Sequence, residues 1–249
     1  MNRRLCVTLV LCLCVAAGCP KKPEELMGGD PNKAVGDPGQ TSAQVPKSVT
    51  ECEDEPAWVA MTPCRNETMV FAKAKVTGTT AMTRQMALRH ARAELTKLGL
   101  GKPNDAGAVI LEGSEAFDTF VCGEQTYGIA RMSAAEFANQ DVPVCAQEPV
   151  ASSTVVGECP AWTRRGAWKE GDDIVAVGFV SGLKNRMLAM STVKNRAMAE
   201  ARYVVSCEVL IKEAGVETKA SGPAPGVPKE TEVVDCDGGL YAKVVFGMP

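Results

Sequence analysis

The sequence predicts an α+β fold: two tandem repeats of strand–helix–strand–strand, each a helix packed on a small antiparallel sheet, after a signal peptide and a flexible tether. Three observations predict it. Short segments recur in the same order. In each copy a strand-type pattern gives way to helical spacing. A glycine-bearing turn separates the last two strands of each copy. "PAW" at Trp58 returns at Trp162, an offset of 104 residues. "FAKAKVTG" (71–78) aligns with "VAVGFVSG" (175–182) at the same offset of 104. "ALRHARAEL" (87–95) aligns with "AMAEARYVV" (197–205) at 110, and "CGEQTYGIA" (122–130) with "CDGGLYAKV" (236–244) at 114. Two loop insertions account for the growing offset.

In chain order, Met1–Arg4 is a short basic start and Leu5–Val15 an apolar run of 11 residues. That run is too short to span a bilayer, which takes about 20 helical residues. A basic start, a short apolar core and a small-residue exit make a secretory signal peptide over residues 1–18. Ala16-Ala17-Gly18-Cys19 resembles a bacterial lipobox, with Ala16 where that motif most often carries leucine. The resemblance implies cleavage before Cys19 and acylation of its thiol and amine. Each buried methylene of such chains contributes about 0.8 kcal/mol, so several chains anchor stably. Ordinary cleavage that leaves Cys19 free is the other reading. Residues 19–50, rich in Pro, Gly and polar side chains, read as the lipidated cysteine and a disordered tether.

Residues 51–148 and 155–249 are then the two α+β repeats. "VFAKAKV" alternates around small apolar residues and reads as a strand; "DIVAVGFV" is more uniformly apolar and β-branched, as in a more buried strand. Gly78 and Gly182 close these strands. In the first helix Ala87, Leu88, Ala91, Leu95 and Leu98 share one face; in the second, Met190, Val193, Ala197, Ala201 and Val205 do. The small alanines let a helix lie close on a sheet. A Gly/Pro-rich loop is expected after each helix, then a hairpin turning at Gly123 and at Asp237–Gly239.

The lipobox, the tether, the "PxW", the apolar strand ending in Gly and the "A…A…AR…L" helix together resemble the LPP20-type lipoprotein domain, once per repeat. The resemblance implies a bacterial envelope lipoprotein, at the outer membrane or surface, without known enzymatic chemistry. The duplication and the many cysteines depart from that pattern.

Charge and cysteine usage narrow the classes. The chain carries 27 basic and 30 acidic residues; loss of Arg3 and Arg4 with the signal leaves 25 basic, a mildly acidic balance that argues against a nucleic-acid binder. Of 11 cysteines, seven follow Cys19. An exported chain meets an oxidising compartment, so disulfides are expected, with one thiol over. Cys52 and Cys159 each precede a "PAW", and Cys122 and Cys236 each sit in a hairpin. Equivalence therefore predicts Cys52–Cys122 and Cys159–Cys236, with other connectivities open. Cys64–Cys145 is a plausible third bridge, and Cys207, near the end of an apolar helix, is the buried thiol. With His90 the only histidine and no CxxC, no metal site and no cofactor are expected. His90 has no spacing to a nucleophile and an acid, so it reads as surface and no catalytic residue is assigned. "GLGKP" (99–103) lacks the spacing of a phosphate loop and reads as a helix stop. Trp168, if exposed, is the candidate partner contact. The expectation is a non-enzymatic, membrane-anchored interaction or structural module with an envelope protein partner. The alternative is a small-ligand-binding or inhibitor-like domain on the same tether.

Overall fold

Period-2 apolar runs and two 3.6-period stripes become strands and helices as follows. A computed structural model describes residues 52, 55–135, 137, 141–153, 158–213 and 215–249. The signal segment, Cys19 and the tether lie outside the described residues. In chain order the elements are α1 (Ala57–Met61), β1 (Cys64–Arg65), β2 (Met69–Thr77), α2 (Ala81–Lys97), β3 (Lys102–Pro103), β4 (Val109–Glu112), β5 (Glu115–Cys122) and β6 (Gln125–Ser133). A 3-10 turn at Ala161–Arg164 follows, then β7 (Ala167–Glu170), β8 (Asp173–Ser181), α3 (Arg186–Val205), β9 (Ser206–Lys212), β10 (Gly215–Ala220), β11 (Pro228–Cys236) and β12 (Gly239–Gly247). The fold is α+β, and its strand pairings within both sheets are antiparallel.

An eight-stranded sheet runs in the order β1-β2-β6-β5-β7-β8-β12-β11. Strands from before and after residue 150 therefore share one sheet, within one compact unit, Ser48–Pro249. The two groups of four strands meet at a single residue pair, Ala116 of β5 opposite Ala167 of β7. Gly166 N–H donates to the Ala116 carbonyl there (3.1 Å).

The pleat sorts side chains between two faces. Val70 and Ala72 of β2 and Ala130 of β6 meet α2 through Ala91 and Leu95. Ile174 and Ala176 of β8 and Ala242 and Val244 of β12 meet α3 through Val193, Ala197 and Ala201. On the opposite face Phe71, Phe117 and Ile129 pack with Trp58 and Cys64, and Val175, Val177 and Tyr241 with Trp168, Cys159 and Cys236. Both faces of β8 are covered, which is why its sequence is apolar throughout.

Local chemistry starts the helices. Thr80 Oγ1 accepts from Thr83 N–H (3.2 Å) ahead of α2, and Asn185 Oδ1 from Leu188 N–H (3.1 Å) ahead of α3. Gly99, at φ 90°, takes the left-handed turn after α2.

The segments after the helices differ from expectation. They are not simple loops but carry β3, β4, β9 and β10, which form a second sheet in the order β10-β9-β4-β3. Its Leu111 and Val209 complete the core beneath α2. Cys207 accordingly lies in β9, not in a helix. The β-branched, alternating "SCEVLIK" turns inward at Cys207 and Val209 and takes strand form as soon as α3 ends.

Candidate interaction surface

The six cysteines singled out from the sequence are brought together as Cys52–Cys122, Cys64–Cys145 and Cys159–Cys236, with Cα separations of 5.8, 4.9 and 5.4 Å. The loops they close run 70, 81 and 77 residues. In the chain-entropy account each contributes about 4 kcal/mol. Cys207 is a free, buried thiol, which burial pushes up to about 11.

The Cys159–Cys236 bridge organises one surface feature. It ties the segment before the 3-10 turn to the last residue of β11. Within that turn Thr163 Oγ1 donates to the Pro160 carbonyl (2.8 Å), fixing the backbone that presents Trp162. Trp162 Nε1–H donates to Glu232 Oε1 of β11 (3.2 Å), and Lys243 of β12 stands 5.6 Å from the indole centroid. The Lys243 ammonium also pairs with Glu232 (2.5 Å). That hydrogen bond from Lys243, helped by the one from Trp162, holds the Glu232 carboxyl below the usual carboxylate range.

These groups border an open groove of about 460 Å³, lined by Trp162, Trp168, Val175, Lys229, Lys243 and Val245. Its floor is the β8–β12 face and its rim is β11. Lys229 of β11 reaches Asp173 at the start of β8. Trp168 is buried, 7% exposed, with the Arg165 guanidinium 3.6 Å from its ring centroid. It supports the groove wall, while Trp162 is the more accessible indole. Burial, with Arg131 nearby, lowers Arg165 to about 10.

β11 ends the large sheet, so one edge of its nine residues faces outward. The far end differs: β1 is bridged beyond by Val144 and stapled by Cys64–Cys145. Pro228, Lys229, Glu230, Glu232 and Asp235 place charge and a proline on the open edge, the means by which natural edge strands avoid indiscriminate pairing. An open edge beside a groove that can take side chains is the arrangement that accepts an added strand.

The other singled-out residues lie elsewhere. His90 is half-buried on α2, and Lys102–Pro103 of "GLGKP" form β3. Among the described residues no three His, Cys, Asp or Glu side chains converge as a metal site. No described helix is long and apolar enough to cross a membrane. Glu232, Lys229 and Lys243 were not singled out from sequence; the only signal was Pro228 with the charges after it, which mark an edge strand. Compared with protein-family models, curated proteins and solved structures, the chain matches none.

Proposed function

We propose that the chain is a non-enzymatic envelope lipoprotein, anchored through acylated Cys19, whose folded body binds an envelope protein by accepting an extended segment along β11. The observation that carries the reading is the open β11 edge beside the Trp162 groove. Main-chain hydrogen bonds to the edge would give affinity, and the groove would select side chains. The lipobox residues and the resemblance to LPP20-type domains support the envelope address, with the outer membrane as its membrane.

The reading includes a duplication. The strand orders β1-β2-β6-β5 and β7-β8-β12-β11 follow one plan. Pro56 and Pro160 each open a single helical turn bearing a tryptophan. In each half a disulfide joins the chain before that turn to the end of a hairpin's first strand. The small-ligand alternative draws less support: the hollows of about 530, 540 and 460 Å³ are open to solvent, and the more enclosed space between α2 and the 3-10 turn is about 20 Å³, room for a single water.

The test is affinity purification of the tagged, lipidated protein from its native membranes in mild detergent. A stoichiometric envelope protein that is lost with Trp162→Ala, while circular dichroism stays unchanged, supports the reading. A body that emerges alone and monodisperse from those membranes overturns it. Cys19→Ala separately tests the anchor, since the variant should leave the membrane fraction.

A further inference from the structure

A narrow cavity sits where α2, the 3-10 turn, β8, α3 and β12 meet. Arg84, Gln85, Arg164, Glu200 and Tyr241 border it, and its volume of about 20 Å³ holds one small occupant. Two buried donors on its border have no acceptor: Arg164 Nη2 and the Tyr241 hydroxyl, with the Arg84 guanidinium beside the phenol oxygen. Arg164 is 8% exposed and Tyr241 2%. The rest of the Arg164 fork is engaged. Its Nε donates to the Thr119 carbonyl (2.8 Å) and stands 3.6 Å from Asp118, and its Nη1 donates to Ser152 Oγ (2.9 Å). Burial pushes the Tyr241 phenol up, so it remains a donor at neutral pH.

Charge around the cavity does not balance. Arg84, Arg164, Arg165 and Glu200 line it, and with the groups paired to or near them six guanidiniums (Arg84, Arg89, Arg92, Arg131, Arg164 and Arg165) stand against five carboxylates (Glu115, Asp118, Glu170, Glu200 and Asp237). Asp237 is 3.3 Å from Arg84, and Glu200 is shared between Arg92 (3.4 Å) and Arg89 (3.9 Å). Orphaned buried donors and uncompensated buried charge are both costly. A water could accept from both donors and pass its own hydrogens to Glu200, whose carboxylate has lone pairs to spare, but it would leave the surplus positive charge in place. A halide needs donors alone.

We propose that this cavity is a binding site for a single small monovalent anion, chloride in its usual form, held by Arg164 Nη2 and the Tyr241 hydroxyl at the junction of α2 and α3. The anion neutralises part of the guanidinium excess and satisfies both donors.

Crystals of the protein grown in sodium bromide test this directly. The expected result is a bromide anomalous peak in the cavity, within hydrogen-bond reach of Arg164 Nη2 and Tyr241 Oη. In solution, the thermal midpoint should rise saturably with sodium chloride against sodium gluconate at matched ionic strength. In Tyr241→Phe the half-saturating concentration should rise about tenfold, the effect of losing one hydrogen bond to a charged group. An empty or water-filled cavity in bromide overturns the proposal whether or not the variant folds. So does a salt response that never saturates and is the same in both proteins.

Discussion

Gly178 of β8 lies against the Val193 carbonyl of α3 so closely that a Cβ there would stand 1.9 Å from the oxygen and 2.7 Å from Ala197 N. Both obstacles are backbone, so no rotamer change relieves the contact. Gly178→Ala must push the helix off the sheet and open the core formed by Val193, Ala197 and Ala201. Overpacking costs about 1–3 kcal/mol where side chains can adjust, and more where they cannot. Urea denaturation should show a loss of about 3 kcal/mol or more. Gly128→Ala, whose Cβ would stand 2.5 Å from the Ala87 carbonyl carbon of α2, should behave similarly.

Arg92 and Glu200 bind the two helices through a buried charge pair, with side chains 0% and 7% exposed. Glu200→Ala leaves the Arg92 guanidinium buried against the Tyr203 ring, 5.2 Å from its centroid, without its carboxylate. The expected destabilisation is about 3–5 kcal/mol. The double variant Arg92→Met, Glu200→Leu removes the stranded charge and should recover much of that loss in the same urea assay. A double variant no more stable than Glu200→Ala would count against charge burial as the cause.

Cys207 should be silent until the protein unfolds. Its thiol is buried in β9, and burial raises it to about 11, so at pH 8 little thiolate exists and reagent has no path to it. An aromatic disulfide reagent should find Cys207 unreactive in the native state. Under denaturing, non-reducing conditions it should react fully.

Glu232 sets an acid limit on the groove. Its carboxyl is held low by Lys243 and Trp162, so the folded state binds its proton less readily than the unfolded chain does. The contribution is fully present above the ordinary carboxylate value of about 4.3 and is lost as pH falls through the lower folded value. The Trp162 indole N–H resonance should hold steady from neutral pH to about 5 and move only below about 4. Glu232→Gln should abolish that titration while keeping an acceptor for the indole.

Period alone made much of the fold legible. β2, β8 and both helices rest on local patterns, apolar strand runs and alanine stripes, while the caps Thr80 and Asn185 emerged only with the structure. The small sheet was hidden because α3 runs into β9 with no glycine or proline between Val205 and Cys207, so apolar spacing continued through a change of conformation. The join of the two halves depends on Ala116 meeting Ala167, a long-range pair that no local pattern announces. The groove was harder still. Trp162 and Glu232 are 70 residues apart, and their contact exists only after β11 has paired with β12 and Cys159 with Cys236. A charged strand such as β11 reads in sequence as a weak strand, whereas in the sheet its charges mark an edge.

The bond between Cys52 and Cys122 also decides how the body bears a mechanical load. Cys122 ends β5, near the middle of the eight-stranded sheet. Tension arriving from the residues before Cys52 passes through a covalent link into the β5–β6 turn. The intervening residues 53–121, with α1, β2 and α2 among them, are bypassed. The chain cannot be peeled open strand by strand from its N-terminal side while that link is intact. Reduction removes the shunt and exposes α1 and the short β1 to the same pull first.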